Sequence, residues 1–463
     1  MSLLKVNWTK TTLGEVAKWS SGGTPKRTNN DYYCGSIPWV KTGDLGDRIL
    51  NQSSEFITEE GLKNSSAKLF PKGSLGLAMY GATIGKVSIF GIEAACNQAC
   101  AVAVPDYEKI HTDFLYYLLK NEKEAFIKKG KGGAQPNISQ TIIKAHEITI
   151  PSIEEQKRIA DKLDSVLAKV EAAQARLDKI PAILKRFRQS VLAAATSGEL
   201  TKEWRDHRDL DSGESLANLR LQVKVKKNSN ELDESKLREL PKGWSWAQVK
   251  EVGSVQLGRQ RSPKYHSGEN MRPYLRVMNV KEGFIDTTDI MEMVFDESDF
   301  QKYRLFPGDI LLNEGQSYEL VGRPAIYNGE VEGACFTNTL VRFRPFFPLK
   351  PRFSFYVFMT YMKNGRFQQI ASRTVNISHL GAGRFSELEF PFPPVEEQEE
   401  IERKVEGLFS KANMVEKNYE SAKSRLDSLS QAILSKAFKG ELLTSPVESE
   451  IKEIESSVEA IHA

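Results

Sequence analysis

Hydrophobic residues recur at alternating steps of four and three positions in two long stretches of the chain, residues 159–191 and 401–433. A seam with this period keeps one apolar stripe facing a partner, so each stretch predicts a long helix of a coiled coil. Pro181 lies within the first stretch, where it removes a helical hydrogen bond. We therefore expect a break near residues 179–181 in the first helix only.

The two stretches belong to a longer internal repeat. The residues that match at one constant spacing are Pro151, Glu154, Glu155, Gln156 and Ile159, which recur as Pro393, Glu396, Glu397, Gln398 and Ile401, and Gly198, Glu199 and Leu200, which recur as Gly440, Glu441 and Leu442. A repeat of this length indicates two copies of one architecture. An antiparallel pairing of the two helices is its simplest arrangement, because it gives the chain an approximate two-fold axis.

The segment before each helix has a different pattern. Residues 8–150 and 244–392 are rich in Gly, Pro, aromatic and β-branched residues, with short apolar runs that predict strands at 101–104, 148–150 and 340–343. Residues 113–125 and 353–367 have the spacing of short amphipathic helices. The sequence thus predicts an α+β fold: two pseudo-symmetric mixed α/β domains separated by a long antiparallel two-helix coiled coil.

This pattern sets the expected domain boundaries. They are residues 1–150 for the first domain, 151–200 for the first long helix, 201–243 for a charged linker, 244–392 for the second domain, 393–444 for the second long helix and 445–463 for an acidic tail. The linker is charged and poor in large apolar residues, apart from a possible short helix near 216–225, and the tail carries repeated glutamates.

Composition narrows the function classes. A length of 463 residues with 40% hydrophobic residues allows several buried cores. The net charge of +3 is too small for general binding to a polyanion, so any nucleic-acid contact must come from local basic clusters. The four cysteines are unevenly spread and predict reduced, mostly packed thiols. Because no apolar run or signal layout appears, we expect a cytoplasmic location and no membrane contact.

The sequence contains no persuasive catalytic motif. Residues 81–87 resemble a phosphate-binding loop, but the spacing from Gly81 is one residue short and Val87 stands where a Ser or Thr is needed. The six histidines are scattered, without the spacing of a metal site or of a nucleophile pair. We therefore expect a chain that is not an enzyme and that binds no metal or cofactor itself.

A family resemblance follows from the order of several short motifs. They are Ser21-Gly22-Gly23-Thr24-Pro25-Lys26, then Ile37-Pro38-Trp39, then Asn137-Ile138-Ser139, then Ile150-Pro151-Ser152-Ile153-Glu154-Glu155-Gln156, and finally Ser197-Gly198-Glu199-Leu200-Thr201. The second half repeats Asn376-Ile377-Ser378 and Pro393-Pro394-Val395-Glu396-Glu397-Gln398. In this order the chain resembles the specificity subunits of type I restriction-modification enzymes over nearly its whole length. It departs from the pattern where Leu257-Gly258-Arg259-Gln260 replaces the first Gly-Gly-Thr-Pro.

The resemblance implies a function for each part. Two target-recognition domains would each read one part of a split sequence in double-stranded DNA, while the long helices would set the spacing and dock two modification subunits. Restriction subunits with motor and nuclease activity would join that complex. S-adenosylmethionine, ATP and Mg would be used by the partner subunits and not by this chain. The alternative is a coiled-coil scaffold for protein partners that never reads DNA.

Base reading belongs to loops that reach the major groove, so polar and basic loop residues are the candidate contacts. In the first domain the loops are 22–27, 41–44, 80–86 and 128–137, and their candidates are Thr24, Lys26, Arg27, Lys41, Thr42, Tyr80, Thr83, Lys86, Lys128, Lys129, Lys131, Gln135 and Asn137. In the second domain the loops are 259–264, 276–279, 317–323 and 373–384, and their candidates are Arg259, Arg261, Lys264, Arg276, Asn279, Ser317, Tyr318, Arg323, Arg373, Asn376, Ser378 and Arg384.

Overall fold

The computed structural model describes residues 8–130, 137–209, 211–223, 232–375 and 377–442, together with Ser449 and Ser456. By its internal contacts the chain divides into two units. Unit 1 comprises Met1–Lys179 and Lys417–Ala463, and unit 2 comprises Ile180–Glu416. Each unit therefore contains one α/β region and part of both long helical stretches.

Unit 1 is built on three small sheets. Its strands are β1 (Thr9–Thr12), β2 (Ala17–Ser21), β3 (Tyr33–Val40), β4 (Ile49–Leu50), β5 (Glu55–Ile57), β6 (Leu69–Phe70), β7 (Leu75–Ala78), β8 (Val87–Phe90), β9 (Ala94–Cys96), β10 (Cys100–Pro105) and β11 (Glu147–Ile150). Its helices are α1 (Leu13–Val16), α2 (Glu59–Lys63), α3 (Thr112–Asn121), α4 (Lys123–Lys129), α5 (Gln140–Lys144) and α6 (Ile153–Leu177). The strand orders are β1-β11, β2-β10-β7-β8-β4 and β5-β3-β9-β6.

Unit 2 has the same kinds of element. Its helices are α7 (Ile180–Ser197), α8 (Lys202–Arg205), α9 (Gly213–Val223), α10 (Val249–Val252), α11 (Glu297–Tyr303), α12 (Pro351–Lys363), α13 (Arg366–Ile370), α14 (Ala382–Ser386) and α15 (Val395–Phe438), the last of which continues into unit 1. Its strands are β12 (Ser245–Gln248), β13 (Gly253–Leu257), β14 (Met271–Leu275), β15 (Met291–Val294), β16 (Ile310–Asn313), β17 (Gly315–Gln316), β18 (Pro324–Ile326), β19 (Cys335–Phe336), β20 (Leu340–Pro345), β21 (Ser372–Arg373), β22 (Ser378–His379) and β23 (Glu389–Phe392).

The two units share their sheet topology, which confirms the internal repeat. The order β13-β20-β16-β18 in unit 2 matches β2-β10-β7-β8 in unit 1, and β15-β14-β19 matches β5-β3-β9. The pair β12-β23 likewise matches β1-β11. A fourth sheet, β17-β22-β21, is present in unit 2 alone among the described residues. The central strands β10 and β20, each flanked by two antiparallel neighbours, are therefore equivalent.

The predicted break in the first long helix is confirmed. Helix α6 ends at Leu177 and α7 begins at Ile180, so Pro181 falls in the first turn of a new helix, where its missing N–H costs nothing. Helix α15, in contrast, runs for 44 residues without interruption. The heptad seam is buried along most of its length; Phe187 is the exposed exception in the first copy.

The long helices run antiparallel in unit 2. In unit 2, Arg188 Nη2 lies 2.8 Å from Glu416, and farther along α7 and its C-terminal turn Leu200 O accepts from Lys404 Nζ at 3.0 Å. In unit 1, the end of α15 meets α3 through the rings of Phe438 and Phe114, whose centroids are 5.3 Å apart. Later positions on the first helix thus meet earlier positions on α15.

A buried glutamine joins each α/β region to the start of its long helix. Gln156 Nε2 donates to Pro151 O at 3.0 Å, and its Oε1 accepts from His111 N at 2.8 Å. Gln398 repeats both contacts, to Pro393 O at 3.0 Å and from Lys350 N at 2.8 Å. Both glutamines are fully buried, and a buried amide is favourable only when its partners are in place. The duplicated glutamine is therefore a structural joint.

The neighbouring glutamate forms a second joint that is stronger in unit 2. Glu397 is fully buried and accepts from Thr201 Oγ1 at 2.6 Å, from Trp244 Nε1 at 2.9 Å and from Arg205 Nη1. Its counterpart Glu155 is only partly buried and accepts from Trp8 Nε1 at 3.3 Å. Thr201 and Arg205 belong to the charged segment predicted as a linker, so part of that segment is folded against unit 2. Helix α9, close to the short helix predicted at 216–225, adds the buried Leu216 and Leu219.

This asymmetry generates a stability prediction. Glu397→Ala leaves a buried guanidinium and two further donors without their acceptor, so we expect a loss of about 3–5 kcal/mol in the free energy of unfolding. Glu155→Ala is the matched control at the equivalent position, with an expected loss of about 1 kcal/mol. Urea unfolding of the two variants measures the difference, and equal losses would contradict the assignment.

Candidate nucleic-acid interface

In unit 1, three predicted loops meet at the Cys100 end of strand β10. Gly22 N donates to Cys100 O at 3.3 Å, which fixes the loop 22–27. Met79 N donates to Ala99 O at 2.9 Å and thereby places the loop 80–86 beside it. Asn137 forms a bridge with Tyr80, and Ile138 N donates to Met79 O at 3.0 Å. The topology thus brings together residues that are far apart in the sequence.

The loop 41–44 joins this group through the turn before β10. Asn97 N donates to Val40 O at 3.0 Å, and Lys41 Nζ lies 2.7 Å from Glu55. Arg27 pairs with the same carboxylate at 2.8 Å. Hydrogen bonds from Lys41 and Arg27 lower the pKa of Glu55. Two candidate DNA contacts therefore share one acidic partner, which a phosphate group can replace.

The remaining unit 1 candidates differ in exposure. Thr24, Thr42 and Thr83 are half-buried, and the exposed candidates are Lys26, Lys86, Lys128 and Lys129. Thr24 bonds to Gln98, and Thr83 Oγ1 donates to Tyr80 O at 2.8 Å. Lys131 and Gln135 lie outside the described residues.

Lys129 is held against unit 1 by a histidine. The buried His146 lies with Nδ1 2.9 Å from Lys129 Nζ and Nε2 3.0 Å from Glu122. An ammonium group only donates, so Nδ1 accepts and Nε2 carries the proton toward the glutamate. Part of the hydrogen-bonding capacity of Lys129 is thus used within the protein.

In unit 2, the predicted loops gather at the equivalent end of β20. Gly258 N donates to Leu340 O at 3.1 Å, Glu314 N to Thr339 O at 2.9 Å, and Val277 N to Thr339 Oγ1 at 3.1 Å. These contacts place the loops 259–264, 317–323 and 276–279. Leu380 N donates to Glu314 O at 2.8 Å and brings in the segment 373–384. Seven of the eight predicted loops thus lie at the same end of the central strand of their unit. The eighth, 128–137, reaches this end only through Asn137, because Lys129 lies beside His146.

A hairpin built on the fourth sheet lies at this end of unit 2. Arg373 lies over the ring of Tyr318 at 4.0 Å, and Arg384 Nη2 donates to Ser372 Oγ at 2.9 Å and to His379 O at 2.7 Å. Val375 near the hairpin tip is 98% exposed. Arg373, Arg384 and Val375 are therefore held on a hairpin whose position is fixed by stacking and hydrogen bonds. Asn376 lies outside the described residues.

Three unit 2 candidates are buried and hold the loops from within. The Arg259 guanidinium lies 2.7 Å from Asp299 and stacks 3.9 Å from the Tyr265 ring. The Asn279 amide accepts from Arg276 N at 3.0 Å and donates to two backbone carbonyls. Ser378 is buried in strand β22. Burial gives these three side chains a role in loop support, and their contact with DNA stays a prediction.

The other unit 2 candidates remain accessible to different degrees. Arg261, Lys264, Tyr318, Arg373 and Arg384 are exposed, and Arg276, Ser317 and Arg323 are half-buried. Arg276 forms an ion pair with Asp289, and burial lowers the pKa of Arg323. Accessible arginines of this kind suit both phosphate and guanine, because the planar fork donates in pairs.

Sequence reasoning missed three features of the interface. Glu55 lies on strand β5, outside every predicted loop, and Val375 carries no polar group. His146 was considered only as a metal or catalytic residue. None of the three carried a clear signal in the sequence, because the role of each depends on residues that the fold brings near it.

A nucleotide-binding loop at residues 81–87 is not supported. The segment continues into strand β8, whereas a phosphate-binding loop opens a helix whose N-terminus faces the phosphate. Within the described part of the chain, no group of three or more His, Cys, Asp or Glu side chains has metal-binding geometry. In the same residues, no helix is long and apolar enough to cross a membrane.

A glycine lets the first loop of each unit cross the strand end closely. A Cβ on Gly22 would lie 1.9 Å from Cys96 O, and one on Gly258 would lie 2.2 Å from Thr337 O. Both obstructions are backbone atoms that cannot move aside. The second loop therefore leaves its sheet as the first does, although its sequence departs from Gly-Gly-Thr-Pro.

These distances predict the effect of one added methyl group. Gly258→Ala should displace the loop 259–264 and cost about 1–3 kcal/mol in the free energy of unfolding. Gly407→Ala, where the new Cβ meets open space on helix α15, is the control and should be neutral or stabilising by up to about 1 kcal/mol. Thermal unfolding distinguishes the two, and a neutral Gly258→Ala would show that the loop is not confined.

Comparisons with known proteins agree with this architecture. A family model described as the type I restriction modification DNA specificity domain matches residues 5–182 and 241–421. The EcoDI specificity subunit of Escherichia coli is 30% identical over 447 residues, covering 95% of this chain and 89% of that protein. The EcoKI specificity subunit of E. coli strain K12 is 28% identical, covering 88% and 82%.

Two solved structures share the fold. One chain comes from a study of assembly and conformational transition in the type I R-M system; it aligns with a TM-score of 0.64 at 18% identity, covering 96% of this chain and all of that one. The HsdS subunit from Thermoanaerobacter tengcongensis aligns with a TM-score of 0.55 at 18% identity, covering 95% and 98%. The predicted fold class is thereby confirmed. With the specificity-domain model matched twice and a relative aligned over nearly its whole length, the chain belongs to the family of type I restriction-modification specificity subunits.

Proposed function

We propose that each unit reads one part of a split DNA sequence through the loops gathered at the end of its central strand. The observation that carries this proposal is the shared placement of the loops in both units, at the Cys100 end of β10 and the Leu340 end of β20. The two loop sets differ in sequence, since lysine dominates the first and arginine the second. Equivalent placement with unlike side chains suits two readers of different base sequences.

Electrostatics support the same role. A nearly neutral chain binds DNA only where basic groups concentrate, and the accessible candidates do so at these strand ends. Phosphate contacts would come from exposed side chains such as Lys26 and Arg261. The Arg261 guanidinium lies over the Tyr274 ring at 5.6 Å. Arg373, stacked on Tyr318, is already oriented and so loses less freedom when it binds.

The chain would act without catalysis of its own. We propose that it docks two modification subunits, which would use S-adenosylmethionine to methylate adenine, and that restriction subunits with ATP and Mg join the complex in the cytoplasm. The role of this chain would be to carry the two DNA-reading surfaces and to place the partner subunits on DNA. No step of the transfer reaction is assigned to residues of this chain.

Mapping methylated adenines tests the proposal directly. The chain expressed with its modification partner in a host without other such systems should produce one bipartite motif. Arg27→Ala should relax or abolish one half of that motif and Arg373→Ala the other, because each lost base contact weakens discrimination by about 1–3 kcal/mol. The chain expressed alone is the control and should leave no methylation. A single undivided motif, or one variant altering both halves, would count against two independent readers.

Salt dependence separates phosphate contacts from base contacts. Arg261→Ala removes a side chain proposed to contact phosphate, so it should reduce the slope of log affinity against log salt concentration by about one. Lys242→Ala removes a similar charge from the same unit, at a side chain that is 82% exposed and pairs only with Asp209 among the contacts described, so its slope should not change. Titration of the assembled complex with its DNA site gives both slopes. Equal changes of the salt slope for both substitutions would indicate a general electrostatic attraction and no specific phosphate contact.

A further inference from the structure

Each unit exposes one aromatic side chain at the same position of its fold. Tyr107 in unit 1 is 61% exposed, and Phe347 in unit 2 is 90% exposed. Each lies two residues beyond the proline that ends the central strand, Pro105 in β10 and Pro345 in β20. The two units therefore share an exposed aromatic side chain at this position.

The turn that carries the aromatic is anchored in the same way in both units. Asp106 N donates to Val16 O at 2.9 Å, and Phe346 N donates to Val252 O at 2.9 Å. The turn then closes on itself, from Lys109 N to Asp106 O at 2.9 Å in unit 1. Its counterpart in unit 2 closes from Leu349 N to Phe346 O at 2.8 Å. Each ring thus projects from a short, hydrogen-bonded turn.

The glutamine joint fixes the other end of each turn. Gln156 Nε2 donates to Lys109 O at 3.0 Å, and Gln398 Oε1 accepts from Lys350 N at 2.8 Å. The aromatic is therefore held beside the start of a long helix. A ring presented on fixed backbone loses little conformational freedom on binding, so more of its contact energy appears as affinity.

The aromatic and the reading loops lie at opposite ends of one strand. Strand β10 runs from Cys100, where the loops gather, to Pro105, where the aromatic turn begins, and β20 runs likewise from Leu340 to Pro345. Five steps of an extended strand separate the two ends by about 16 Å. A duplex seated on the loops would therefore meet this part of the surface far less readily than a protein partner would.

We infer that Tyr107 and Phe347 are equivalent anchor residues, each of which binds one copy of the modification subunit. The inference rests on the proposed function and adds the contact surface. Two different DNA sequences require unlike surfaces, whereas two copies of one partner require like surfaces. Tyr107 and Phe347 are alike, exposed and equivalently placed at the strand end away from the loops, so the partner should present an apolar pocket that accepts the ring.

If the two aromatic rings were exposed by chance, they would not be expected at equivalent positions of the two units. Single exposed apolar residues are common on protein surfaces and need no explanation. Leu221 is an example: it is 77% exposed on α9, within a charged segment that the repeat does not include. Leu221 therefore serves as a control residue of similar exposure in the same chain.

The test measures how the full chain binds its modification partner. Size-exclusion chromatography with light scattering gives the stoichiometry, and titration gives the two affinities. Tyr107→Ala and Phe347→Ala should each weaken one of two sites at least tenfold, as expected for loss of a central aromatic anchor, and leave a complex with one partner bound. The double variant should lose both sites. Tyr107→Phe and Phe347→Tyr should retain binding, and Leu221→Ala should match the unsubstituted chain.

Every other outcome overturns the inference in a recognisable way. If the alanine variants bind two partners with unchanged affinity, the rings are not anchors, although the proposed function stands. If assembly is unchanged but DNA affinity falls, the rings face DNA; if only self-association of the chain changes, their occupant is a second copy. If the unsubstituted chain binds no modification subunit, the proposed function fails as well. Equal thermal midpoints for all variants exclude misfolding as the cause.

Discussion

The joint between each α/β region and its long helix is the constraint on which the rest of the structure depends. A buried carboxamide bonds at once to the backbone before the helix and to the backbone that enters the neighbouring α3 or α12. Because an unpartnered buried amide is costly, these bonds fix where the helix starts and how it leaves the sheet. The short sequence Glu-Glu-Gln, repeated in both halves, thus specifies geometry and not chemistry. In unit 2, Glu397 strengthens the joint by drawing the charged segment after α7 onto the same place.

The central strand begins at the loop end and finishes near this joint, so it fixes where the loops lie relative to the long helix. Its neighbours on both sides are antiparallel, so the connections between strands emerge at its two ends, and four loops from distant parts of the sequence meet at one of them. The core determines where the loops start, while their own residues determine what they present. Under the proposed function, reading and assembly would use different ends of this strand, so that a change in one need not disturb the other.

The sequence predicted the regular parts of this arrangement well and the tertiary details poorly. Heptad spacing located both long helices, and Pro181 located the break, since these are local properties of the backbone. The loops were found one by one from their polarity, but nothing local indicated that they meet at a common strand end. Burial of Arg259, Asn279 and Ser378 was equally invisible, because a polar side chain that supports a loop and one that faces solvent look alike in sequence. Glu55 was missed since its role depends on Arg27 and Lys41 arriving from elsewhere in the fold.

The fourth sheet of unit 2 has a consequence for how such a protein diversifies. Strands β17, β22 and β21 add a braced projection to that unit while its central strands keep the topology of unit 1. Under the proposed function, this sheet would extend the reading surface of unit 2 beyond the strand end, while Leu380 next to β22 is buried in the core. A specificity subunit could then gain a new target sequence by lengthening one loop while its core strands keep their topology.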